Sequence, residues 1–278
     1  LETLRKEADL GARIAAVLLE VSGSNDGTPQ IVRRFRDSWP KIVVLEEATR
    51  QGLAHAVSQM IRDAPTDIIV RIDADVKFRP GVIRRLLEKV RDPQIGIVGP
   101  RIVPAPSGNP ILDRMLHAEY ELHHLISVES PKITNVQVFR RFGGEMHDDV
   151  ETEDILLQDL ATEGGGQAVY APEETVLIIP PTSILNFLRQ RVRIITSERW
   201  YLHRTGRKPA PTTQFAFFAR ATLAGIRSGT LQPTDLVLFL ITETSGRFYS
   251  RARYTLVGHV SLSTWRSVRG GDRETPGG

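Results

Sequence analysis

Short apolar runs alternating with amphipathic segments, joined by short links, constrain this chain more than any other feature. Arg13 to Val21, Lys41 to Leu45, Ile68 to Ile72 and Ile95 to Val98 are brief, rich in β-branched residues and bounded by polar or turn-forming positions. That is the pattern of buried strands. Between them, Ile31, Val32 and Phe35, then Leu53, Ala56, Val57 and Met60, then the run Val82 to Val90, recur at helical spacing. Pro80 opens the last of these helices. Strand and helix in alternation predict an α/β layered sheet. Residues 2–12 read as a polar helix, Leu112 to Ile126 as an amphipathic one, and 135–140 as a short strand. A return strand starts at Gln167, and helices are expected over 184–204 (broken once), 211–227 and 232–259.

The third apolar run ends in Asp73-Ala74-Asp75. Strand alternation points both carboxylates to the same side as the strand runs out. Hard oxygen ligands at that edge suit Mg²⁺ or Mn²⁺ carrying a phosphorylated ligand, and the edge is where open α/β sheets bind ligands. The turn Ser22-Gly23-Ser24-Asn25-Asp26-Gly27-Thr28 lets backbone approach a ligand closely, with Thr28 read as the cap of the next helix. A third acidic stretch, Asp148 to Asp154, precedes the helix of Ile155, Leu156, Leu157 and Leu160. Acid in a first turn favours a helix through its macrodipole, and one such carboxylate facing Asp73 and Asp75 would serve as a general base.

The 278 residues suffice for one large domain or one domain with a helical extension. The absence of cysteine excludes disulfides, thiolate catalysis and cysteine-type zinc sites, and fits a reducing compartment. His117, His123 and His124 point in different directions on their helix, which speaks against a metal site there. No run of eighteen apolar residues and no secretory signal is visible. Net charge is only +3, but Arg and Lys crowd positions 189–208. A basic amphipathic helix of this kind binds phosphates, lies on anionic membranes or covers a core. With aromatic residues at 6%, stacking platforms are too few for a nucleic-acid partner.

Four of these stretches, taken in order, resemble the family-2 glycosyltransferases with the GT-A fold. Ser22 to Thr28 is similar to the family's D-G-S-x-D-x-T nucleotide loop, Asp73-Ala74-Asp75 to its D-x-D motif, and Thr152-Glu153-Asp154 to its T-E-D motif. Gln190-Arg191-Val192-Arg193 is similar to the Q-x-x-R portion seen in processive members. The resemblance, which covers roughly residues 13 to 200, implies a mixed α/β GT-A sheet flanked by helices over residues 1–181; the residues themselves predict a helical extension over 182–271 and a polar, disordered tail over 272–278. It implies an inverting, metal-dependent transfer from a nucleotide-diphospho-sugar to an acceptor hydroxyl of a polysaccharide, glycolipid or lipid-linked glycan.

Residue by residue, the resemblance makes Asp154 the base and Glu153 its support or an acceptor contact. Asp73 and Asp75 hold the diphosphate through Mg²⁺ or Mn²⁺, Asp75 binding the metal directly. Ser22, Ser24 and Asp26 line the nucleoside side, and Gln190, Arg191 and Arg193 reach the diphosphate or the acceptor end. The chain departs from the pattern in three places. Ser22 stands where the family carries an acid, Ile194 replaces a tryptophan, and the first strand with its P-x-x-N-E contact is not among these residues. An N-terminally truncated enzyme working in the cytoplasm at the inner face of the cell membrane is therefore expected. Two other readings are a sugar-nucleotide nucleotidyltransferase, which would need a glycine-rich basic loop after its first strand, and a non-catalytic module binding a membrane or partner.

Overall fold

The computed structural model describes residues 1–24, 27–49, 51–143, 152–207 and 215–257. In chain order the elements are α1 (Glu2–Asp9), β1 (Val17–Ser22), α2 (Thr28–Ser38), β2 (Ile42–Glu47), α3 (Leu53–Asp63), β3 (Ile68–Ile72), β4 (Val76–Phe78) and α4 (Val82–Val90). There follow β5 (Ile95–Pro104), α5 (Pro110–Glu129), β6 (Val136–Arg140), α6 (Glu153–Glu163) and β7 (Gln167–Ile178). Three helices end the described chain: α7 (Ile184–Thr205), α8 (Phe215–Ser228) and α9 (Pro233–Val257).

The strands form two sheets. β1 and β2 pair in parallel, with Ser22 opposite Glu47, while the larger sheet has the order β3-β6-β5-β7-β4. In that sheet β3, β5 and β6 alternate in direction, and β5 runs parallel to β7. α3 links the two sheets, packing on β1 and on α6. Its Ala54 and Val57 join Ile97, Phe139 and Leu157 in one apolar cluster. The other face of the large sheet is sealed by α4, whose Val82, Ile83, Leu86 and Val90 meet Val98, Val136, Val138 and Val176. Burying each such side chain is worth about 1.5–3 kcal/mol.

Helix α4 is also tied to the start of the chain. Glu7 of α1 is fully buried and accepts the backbone N–H groups of Gly81 (2.7 Å), Ile83 (3.3 Å) and Arg84 (3.1 Å). A carboxylate there satisfies donors that a helix N-terminus leaves without partners and complements its positive end.

Several boundaries differ from the sequence reading for identifiable reasons. β5 continues to Pro104 because its ladder to β7 absorbs Pro100 in a register shift between Pro100 and Arg101. β4 is too short to show a periodicity. α7 is one unbroken helix of 22 residues. Thr28 is the first helical residue of α2 rather than its cap; Gly27, at φ +83°, takes the cap position. The three histidines of α5 do face separate surroundings: His117 meets the Thr230 carbonyl, His124 the Tyr170 hydroxyl, and His123 is buried, burial pushing it down to about 3 and leaving it neutral. The terminal helices share cores with α5, through Ala118, Leu122, Ala221, Leu231 and Phe239 on one side and Leu112, Leu116 and Phe187 on another. Positions 272–278 lie outside the described residues.

Candidate active site

Arg71 is the one charged residue in the apolar run Ile68 to Ile72, and its side chain is only 7% exposed. A charge in that position must be compensated by partners that are themselves fixed. Cross-strand register places Gln137 of β6 directly opposite, and Arg71 Nη1 donates to Gln137 Oε1 at 2.8 Å. The other terminal nitrogen, Nη2, donates to Asp73 Oδ1 and to Glu153 Oε1, both at 2.8 Å. Gln137 in turn donates from Nε2 to the carbonyls of Ile133 and Asp154, each at 3.0 Å. A single guanidinium thus joins the end of β3 to the first turn of α6, some eighty residues later in the chain.

Asp73 is held from its other side by Asn135, whose Nδ2 donates to Oδ2 at 3.0 Å and whose carbonyl accepts the Asp73 N–H at 2.9 Å. Asn135 adopts φ +58°, the left-handed conformation that asparagine tolerates better than most residues. Asp75, half-buried, is fixed through its backbone: its carbonyl accepts the Ile179 N–H where β7 ends. Asp154, the second residue of α6, receives its own helix's Ile155 N–H on Oδ1 at 2.9 Å.

Three carboxylates therefore crowd one guanidinium. Burial opposes the charge of Arg71, but Asp73, Glu153 and Asp154 outweigh it and hold it more firmly protonated than usual. Glu153 goes the other way. Burial, with Arg71 opposing and Asp154 and Asp73 adding to it, pushes that carboxyl up to about 7. Arg71 keeps its charge, and Glu153 takes up a proton near neutrality.

The donor set is compatible with a hard divalent cation of a particular kind. Among the described residues no group of three or more His, Cys, Asp or Glu side chains is arranged to hold a metal by itself. Two aspartates at a strand end instead suit an ion that takes its remaining oxygens from a diphosphate and water. Both oxygens of Asp73 are engaged, Oδ1 by Arg71 and Oδ2 by Asn135.

The other expected site residues fall into separate neighbourhoods. Ser22 donates to Glu47 Oε2 at 2.9 Å, and Ser24 sits in the wall of a crevice beyond the ends of β1 and β2. Asp26 lies outside the described residues. On α7, Gln190 is half-buried and Arg193 exposed, whereas Arg191 belongs to a buried network of its own. Its guanidinium pairs with Glu119 of α5 at 2.6 Å and Glu243 of α9 at 2.7 Å, and it lies over the Phe239 ring. Arg71, Asn135 and Gln137 were not singled out from the sequence. The available signal was an arginine in the middle of an apolar strand.

Comparison with known proteins bears on the family and the fold. The family described as "Glycosyl transferase family 2" matches residues 16–161. A curated N-acetylglucosaminyltransferase from Rhizobium meliloti (strain 1021) is 24% identical over 182 residues, which is 58% of this chain and 43% of that protein. This chain thus spans less than half of that relative's length. A mannosyltransferase from Pyrobaculum calidifontis, solved in complex with GDP-Man and Mn²⁺, superposes with a TM-score of 0.62 at 18% identity, covering 92% of this chain and 82% of the other. That likeness establishes the GT-A type of fold.

Proposed function

Because the chain belongs to glycosyl transferase family 2, we propose that it moves a sugar from a nucleotide-diphospho-sugar to an acceptor hydroxyl, with inversion at the sugar carbon and dependence on Mg²⁺ or Mn²⁺. The observation that supports this reading is the bridge from Asp73 through Arg71 to Glu153, the residue that precedes Asp154 in the first turn of α6. A divalent cation, when bound, neutralises charge on the diphosphate leaving group. Asp75 is its principal ligand, and Asp73 faces the nucleotide.

Asp154 accepts the proton of the acceptor hydroxyl as its oxygen attacks the sugar carbon. The bond from that carbon to the diphosphate oxygen breaks, and the nucleoside diphosphate leaves with the electron pair. Glu153 holds the first turn of α6 against Arg71 and so positions Asp154. Gln190 and Arg193 attend the diphosphate or the acceptor end. Arg191 pins α7 to α5 and α9. Ser22, Ser24 and Asp26 line the nucleoside side, and the catalytic part is residues 1–181.

The acceptor we assign is a glycan or lipid-linked glycan presented near a membrane surface. Among the described residues no helix is long and apolar enough to cross a membrane. Phe215 of α8 and Phe248 of α9 are nevertheless 84% and 77% exposed, on helices that also carry Arg220, Arg227 and Arg251, a combination that favours an anionic lipid face.

Calorimetric titration of GDP, UDP and other nucleoside diphosphates, with and without Mn²⁺, tests the reading. Metal-dependent binding of one of them should be lost in Asp75→Ala. Asp154→Asn should abolish transfer while leaving that binding nearly intact. Transfer by Asp154→Asn at the normal rate would remove Asp154 from its role.

A further inference from the structure

Beyond the aspartate pair, the fold leaves a second constellation that no motif announced. Parallel alignment of β1 and β2 brings Glu20, Ser22 and Glu47 onto one face of the small sheet, with Ser22 directly opposite Glu47. Glu47 is only 13% exposed and is oriented on both oxygens: Ser22 Oγ reaches Oε2 at 2.9 Å, and His55 Nε2 of α3 lies 3.1 Å from Oε1. Each carboxylate oxygen can accept two hydrogen bonds, and Glu20 makes a further side-chain hydrogen bond to Glu47. Glu20 stands behind the pair. Burial, then the charge of Glu47, pushes its carboxyl up to about 7, with His55 pulling the other way. Near neutrality Glu20 thus tends to carry a proton.

Glu47 also lines a crevice of about 320 Å³ outside the C-terminal ends of β1 and β2, together with Val21, Gly23, Pro29 and Arg33. Open sheets bind ligands at such edges, and this volume is at the small end for a ligand site. Arg33 is held flat by a two-point pair to Glu46, with Nε–Oε1 at 3.1 Å and Nη2–Oε2 at 2.9 Å. A guanidinium fixed in that way presents a planar face on which an aromatic ring stacks. A stacking face and a pre-oriented carboxylate, in a crevice too small for a whole sugar nucleotide, match a ligand that is planar and bears N–H donors at its edge.

We propose that Glu47, positioned by Ser22 and His55, reads the nucleobase of the donor by accepting its N–H groups while the ring lies against Arg33. The inference rests on the nucleotide-sugar reading above, and adds to it a residue that decides which donor is taken. It also gives a physical role to the serine at position 22. The carboxylate that this edge lacks on β1 is supplied across the strand pair by Glu47, and the Ser22 hydroxyl holds it there.

The test is titration of the wild-type chain and Glu47→Gln with the nucleoside diphosphate that wild type binds, its 2′-deoxy form, and inorganic pyrophosphate, all with Mn²⁺. Replacing a charged acceptor by a neutral amide should weaken nucleoside-diphosphate binding by tenfold or more, about 1.4 kcal/mol. The loss should be the same for the deoxy form, and pyrophosphate binding and melting temperature should stay at wild-type values. Unchanged nucleotide affinity in Glu47→Gln would overturn the proposal. So would a loss confined to the ribo form, which would move the contact to the ribose. Parallel loss of pyrophosphate binding and thermal stability would make Glu47 a structural residue and overturn it as well. If wild type bound pyrophosphate and Mn²⁺ but no nucleoside diphosphate preferentially, this inference alone would fall. If it bound neither, the nucleotide-sugar reading would fall with it.

Discussion

Replacing Arg71 by methionine removes the hub of the candidate active site while keeping most of the side chain's volume. The guanidinium makes three hydrogen bonds, two of them to carboxylates whose side chains are 24% and 11% exposed. Removing one partner of a buried ion pair costs about 3–5 kcal/mol, because the remaining charge has no compensation. Here one of the two orphaned carboxylates has an escape. Glu153 already titrates at about 7 with Arg71 beside it, and without that cation its affinity for a proton can only rise. At pH 5.5 Glu153 is largely protonated in both proteins, so the variant loses chiefly the pairing of Asp73. At pH 8 the wild-type cluster carries an ionised Glu153 that Arg71 stabilises, and the variant must either bury that charge alone or take a proton against the solvent. Destabilisation should therefore be about 3 kcal/mol at pH 5.5 and larger at pH 8. For a chain of this size 3 kcal/mol lowers the melting temperature by roughly 6–12 °C. Urea unfolding at the two pH values measures both quantities. A loss below about 1 kcal/mol, or one that shrinks as pH rises, would refute the network as described.

Two further substitutions probe other parts of the fold. Gly96→Ala places a Cβ 2.1 Å from the Ala161 carbonyl oxygen and 3.3 Å from the Gly166 Cα, both backbone atoms that cannot rotate aside. Destabilisation of about 3 kcal/mol is expected in chemical denaturation, and a change within 0.5 kcal/mol would mean that the contact between β5 and the α6–β7 turn is looser than described. Glu20→Gln tests the carboxyl pair behind the crevice. Because the folded-state value of Glu20, about 7, lies above its ordinary 4.5, its contribution to stability is present below pH 4.5 and is lost as pH rises through 7. The wild-type melting temperature should therefore fall more between pH 5.5 and 8 than that of Glu20→Gln, and parallel pH profiles would contradict the shift.

The alternation of apolar runs and amphipathic helices was enough to read the α/β layering, because burial of one face leaves a periodic trace in the sequence. The aspartate pair was legible for the same reason, as a polar ending on a strand whose register is set by its core. Three things left no such trace. The partition of the strands into two sheets depends on which edges meet, and β1 carries the same pattern whether or not it pairs on both sides. β4, at three residues, contributes no period. The site hub depends on Arg71 meeting Gln137 and Glu153, at separations of 66 and 82 residues, and only the register of β3 on β6 creates those meetings.

Arg191 shows the same limit from the opposite direction. In the sequence it is one of several arginines on a helix with an apolar stripe, and a basic amphipathic helix is a fair description of that pattern. In the fold, α5 and α9 close over α7 and supply Glu119 and Glu243, each within 2.7 Å, so that this arginine becomes the ionic core of a three-helix contact. Its neighbours Arg189 and Arg193 remain exposed. Both buried arginines, Arg71 and Arg191, thus do the same physical work in different places. Each is a five-donor planar group that fastens two carboxylates from distant segments, a role that the single point charge of a lysine would fill poorly. The difference lies in what is fastened. Arg191 joins helices to one another, whereas Arg71 joins Asp73, just beyond β3, to Glu153 in the first turn of α6, so the same chemistry that stabilises the fold also fixes two of the proposed site carboxylates relative to each other.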